Sequence, residues 1–82
     1  MFIEQSPTPM EKKALVIKVR KFVTCLLNNG FQVTSICRAV KTTQSRRIRD
    51  RVFGYNISVR ILNAYSNHYR HFSETGTCDG RV

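Results

Sequence analysis

"KTTQSRRIRDR", residues 41–51, places arginine at four of its last six positions, with Asp50 the lone carboxylate among them. The flanking residues decide what this run is. Upstream, residues 33–40 repeat apolar side chains at Ile36, Cys37 and Val40, the spacing of one face of a short helix. Gln32, at its expected N-cap, is a poor capping residue. Lys41-Thr42-Thr43 breaks that helix, and Thr43 is a good N-cap for the next. A third helix is then expected from Gln44 to about Phe53, with Ile48 and Val52 as its inward i, i+4 pair and Gly54 as its stop. In that register Arg46 and Asp50 point outward, Arg47 and Arg49 flank them, and Gln44 and Ser45 lead.

Further out, Thr8-Pro9-Met10-Glu11 reads as a capping box with proline at the first helical position. Leu15, Val16, Val19, Phe22, Val23, Leu26 and Leu27 follow as one apolar stripe, with Lys12, Lys13, Lys18, Arg20 and Lys21 mostly on the other faces. Asn28-Asn29-Gly30 ends this first helix, expected over 9–28. After Tyr55, Asn56 or Ser58 is expected to cap a fourth helix buried through Ile57, Ile61, Leu62, Tyr65, Tyr69 and Phe72. The expected organisation is a loose arm over 1–7, a domain over 8–72 and a disordered polar tail over 73–82. The fold class is all-α: a compact bundle of about four helices, with two short ones joined by a tight turn in the middle.

The chain has 82 residues, enough for one small core and too few for an enzyme-sized cleft on a scaffold. Fourteen Lys and Arg against five Asp and Glu give a formal charge of +9. From Lys12 to Arg70 thirteen basic residues face one acidic residue, a net +12. Polyanions are the natural partners of such a domain. No secretory signal and no membrane-length apolar run is seen, so a cytoplasmic protein is expected. Cys25, Cys37 and Cys78 are then expected as reduced thiols. No recognisable nucleophile setting or phosphate loop appears, so neither a catalytic residue nor a cofactor is assigned.

The stretch from Gly30 to Ile48, "GFQVTSICRAVKTTQSRRI", resembles the helix-turn-helix DNA-binding superfamily. Its layout is similar to phage repressors and to the N-terminal modules of some insertion-sequence transposases. Phe31 matches the apolar residue entering the motif, Ile36 and Val40 its core positions, Cys37 the small residue where the helices touch, and Thr43 the cap of the second helix. The match departs where Lys41 replaces a common turn glycine, where Thr42 replaces an apolar residue, and where Ile48 falls one residue later than the family's core position. An extra turn residue or a rotated third helix would account for the shift.

The resemblance implies a phage- or plasmid-type transcriptional regulator, a repressor or corepressor, whose recognition helix (about 43–53) lies in the major groove of double-stranded DNA. Gln pairs with adenine and Arg with guanine in bidentate fashion, each worth ~1–3 kcal/mol of discrimination. Gln44, Ser45, Arg46, Arg47 and Arg49 become base-reading candidates. Arg38, Lys41 and Arg51 become contacts that set register on the backbone, and Thr43 is a further DNA-binding candidate. The opening N–H groups of the third helix are a further phosphate site. Asp50 would orient Arg46 or Arg47, or accept a hydrogen bond from cytosine. A module this small needs a second copy or a second regulatory protein to bind firmly.

Other readings of the same residues remain. An adaptor would bind another regulator and modulate its grip on DNA, with Tyr65, Tyr69 and Phe72 as the dimer or partner surface. The aromatic stripe first serves core packing by its helical spacing. An arginine-rich helix docking in RNA looks similar to 44–51, although Ile48, Val52 and Phe53 belong to a folded core. His68, His71 and Cys78 lack a fourth metal ligand and regular spacing, so no metal site is assigned. The basic, amphipathic first helix is needed by the core rather than by a membrane surface.

Overall fold

In the computed structural model, residues 6–78 are described, and they form an all-α bundle of five helices. Helix α1 spans Pro9–Asn28, α2 Val33–Val40, α3 Ser45–Arg49, α4 Tyr55–Ala64 and α5 Ser66–Thr75. The expected arm over 1–7 and tail over 73–82 fall partly outside the described residues.

The capping box that opens α1 is present in both directions. Thr8 Oγ1 accepts from Glu11 N at 3.2 Å, and Glu11 Oε1 accepts from Thr8 N at 2.8 Å. The helix ends as Gly30 takes φ +94°, which lets Gly30 N donate to Leu27 O and Phe31 N to Leu26 O. This paired closure is a Schellman motif, with glycine where a side chain would be strained. Between the two caps, Val19, Phe22, Val23 and Leu26 are wholly buried. Full burial of such side chains stabilises by roughly 1.5–3 kcal/mol each. Phe22 is central: Tyr69 meets it edge-on at 5.3 Å between centroids, and Phe72 packs tilted at 5.5 Å.

The fourth helix expected from sequence is two helices. Tyr65, at φ −125° and ψ 41°, closes α4 and opens α5. Asn63, Ser66 and Asn67 around it are weak helix formers, so local propensity does not resist the bend. Beyond it Tyr69 and Phe72 still pack on the core, which is why the apolar stripe runs unbroken through a broken helix. Gly54 caps α4 in place of Asn56 or Ser58. Ser58 is instead fully buried and donates from Oγ back to Gly54 O at 2.8 Å. Over its described part the tail expected from 73 is ordered: α5 runs to Thr75, Gly76 closes it at φ +74°, and Cys78 is buried.

Helix α3 differs most from expectation. It has five residues, because Arg51 turns left-handed at φ +56° and ends it. The phase of 100° per residue is lost there, so Val52 is 51% exposed while Phe53 is 1% exposed and takes the core position. Ile48 is buried as expected. Arg20 of α1 fixes the result. Its Nε and terminal nitrogen donate to Phe53 O at 3.2 and 2.8 Å, and its guanidinium lies 5.9 Å from the Phe53 ring centroid. Arg20 is thus a structural clamp rather than part of the solvated face.

Candidate nucleic-acid interface

Residues 41–44 join α2 to α3, and Lys41 makes the turn. It adopts φ 59°, ψ 51°, so that Lys41 N donates to Arg38 O at 3.3 Å and Thr42 N to Cys37 O at 3.0 Å. The same pair of bonds recurs after α3, where Arg51 N donates to Ile48 O and Val52 N to Arg47 O. Both are Schellman closures with a basic residue in the left-handed position that glycine fills most cheaply. A non-glycine residue there costs roughly 1–2 kcal/mol. Lys41 in place of a glycine is therefore accommodated by strain, and the chain still reverses.

Thr43 does not cap α3. Gln44 stands at the N-cap without a side-chain bond, and Thr42 Oγ1 accepts from Gln44 N at 3.2 Å. Thr42 reaches the backbone because it lies two residues before the amide it meets, the geometry of a Ser/Thr turn. A helix of five residues leaves little N-terminal dipole, so the phosphate site expected at its opening amides loses its basis.

Arg38, Lys41, Thr43, Gln44, Ser45, Arg46, Arg47, Arg49 and Asp50 are all exposed, and the structure brings them together on the α2–turn–α3 segment. Arg38, Lys41, Arg46 and Arg47 make no ion pair or side-chain hydrogen bond with any described residue. Asp50 pairs with Arg49 at 3.5 Å, in place of the expected Arg46 or Arg47, because it sits at the end of α3 rather than within it. Both partners are exposed, so the pair is worth little. Arg51 is half-buried and folds back, donating to Arg49 O at 2.6 Å, so its guanidinium is held against the turn.

No protein-family model, curated protein or solved structure matches this chain.

The aromatic set Tyr65, Tyr69 and Phe72 lies apart from this segment in sequence and is half-buried against the core. Phe31 meets Tyr65 edge-on at 6.0 Å and His68 at 5.6 Å. Burial pushes the Tyr65 hydroxyl up from its ordinary pKa, and the Cys37 thiolate would push it further. Among the described residues no group of His, Cys, Asp and Glu side chains could hold a metal ion, and no helix is long and apolar enough to cross a membrane.

Sequence reasoning missed Arg60. It lies on α4, remote from the basic run, yet it borders two grooves beside the turn. Lys41 and Asn63 line one groove with it, and Gln44 and Arg47 line the other. Its i, i+4 relation to Asn56 and Ala64, away from Ile57 and Ile61, was the available signal that it faces outward.

Proposed function

We propose that the protein is a small DNA-binding transcriptional regulator of helix-turn-helix type, which places α3 and the turn before it in the major groove. The observation that carries this reading is the asymmetry of α3. Its one buried side chain, Ile48, ties it to the core, while Arg46 and Arg47 face solvent without a side-chain partner among the described residues. A guanidinium held on a rigid element offers guanine a bidentate donor pair. Gln44 and Ser45 lead α3 as further readers, with Arg49 at its far end. Arg38 and Lys41 hold the backbone and set register. Occlusion of a promoter, or recruitment at one, is the regulatory act, and a second copy or partner supplies the second half-site.

Selection of bound sites from a random duplex library by the purified chain, at fixed near-physiological salt, tests the reading. An enriched motif that Arg46→Ala flattens at particular positions is the expected result. Binding without any enriched motif would reject a sequence reader. The exposed Val52 beside the arginines favours a second reading, an adaptor that docks on another DNA-binding regulator. In that case enrichment appears only when the partner is present, and Val52→Asp abolishes it.

A further inference from the structure

We propose that Arg47 and Arg60 form a two-arginine clamp for one phosphodiester of the DNA backbone, carrying the contact surface from α3 onto α4. The inference rests on the DNA-binding reading above and assigns a ligand to a groove which that reading leaves out. The groove runs between the 41–44 turn and the start of α4, and Thr42, Gln44 and Asn56 line it with the two arginines. Among the described residues no carboxylate lines it. Neither guanidinium makes an ion pair or hydrogen bond with any described residue. Asp50, the one carboxylate between Lys12 and Arg70 in the sequence, pairs with Arg49.

Two like charges brought to one groove from separate helices repel each other, so the arrangement favours an anion from outside. The ligand's chemistry follows from its surroundings. Guanidinium forks match the paired oxygens of a phosphate, and the Thr42 hydroxyl and the Gln44 and Asn56 amides add neutral donors at the rim. On the far side of Arg60, the second groove adds Lys41 and Asn63, so the positive surface continues along the path a backbone strand would take. Asn56, Arg60 and Asn63 lie at i, i+4 and i+7, one outward stripe of α4.

The test is titration of a labelled duplex with the full chain, by fluorescence anisotropy, from about 50 to 200 mM salt. Each phosphate contact contributes about 0.9 to the slope of log K against log salt. Arg60→Gln is expected to reduce that slope by about 0.9, an affinity loss of about 8-fold at 0.1 M salt, equal on every duplex sequence. Arg60→Lys should keep the slope. Arg70→Gln removes an exposed arginine that donates to Asn67 on α5, and it should leave the slope nearly unchanged. An unaltered slope in Arg60→Gln, or an equal loss in Arg70→Gln, would overturn the clamp while leaving DNA binding intact. A wild-type chain that binds no duplex would reject the DNA-binding reading itself. Inorganic phosphate then decides the groove: saturable NMR shifts at Thr42 and Arg47 that Arg60→Gln removes would retain a phosphate site for free phosphate, and their absence would overturn it.

Discussion

Helices α1 and α3 are both basic, and they use their residues in opposite ways. In α1, twenty residues bury four side chains completely, a reciprocal cap starts the helix and a glycine ends it. In α3, five residues bury one side chain, no side chain caps the start, and a strained arginine ends it. A helix of five residues has no stability of its own, because nucleation is not repaid within a single turn. It exists because Ile48 and Phe53 are drawn into a core that α1 builds, and because Arg20 holds the Phe53 carbonyl. One helix makes the fold, and the other spends its surface on charge.

That contrast is open to attack by substitution. Phe22→Ala should cost about 3–5 kcal/mol in denaturant unfolding. Ile48→Ala should cost about 2–5 kcal/mol, and falls at the low end if α3 can collapse onto the gap. An Ile48→Ala loss larger than that of Phe22→Ala would reverse the assignment of α1 as the stabilising element. Thr8→Ala removes one half of the capping box and is expected to cost about 1 kcal/mol, read as a lower midpoint with an unchanged slope. Lys41→Gly and Arg51→Gly should move stability least, between no change and a gain of about 1 kcal/mol, since relieved strain offsets the freer unfolded chain. Lys41→Gly should nevertheless weaken duplex binding, whereas Arg51→Gly, whose guanidinium is half-buried and folded back on Arg49 O, should do so less. Equal effects of the two on binding would remove the distinction drawn between them.

The parts of the fold legible in the sequence are those with redundant signals. Thr8, Pro9, Glu11 and Gly30 bracket α1 independently of its apolar stripe, and Ile36, Cys37 and Val40 mark α2 although Gln32 gives it no cap. The end of α3 carried no such bracket. Helical periodicity continues smoothly from Ile48 to Val52, and nothing in "RDRV" announces that an arginine will take the conformation of a glycine. The pattern therefore points Val52 inward, where it is exposed, and makes Gly54 a stop, where it caps the following helix. The break at Tyr65 was hidden for the opposite reason, since the same stripe serves both α4 and α5. At the candidate interface the arginine run was plain in sequence. Arg60 was not, because it comes to the same groove as Arg47 only through α3 and α4 each packing on α2.

The bond from Arg20 to Phe53 also governs how the molecule moves. Amide exchange normally proceeds through small local openings, and a short surface helix is among the first segments to fray. For α3 that route is closed at one end, because freeing Val52 and Phe53 from their turn withdraws an aromatic ring from the core and releases Arg20 from its carbonyl acceptor. The basic segment is therefore expected to exchange its amides with the timing of the interior, and its arginines stand on backbone that the core already orders.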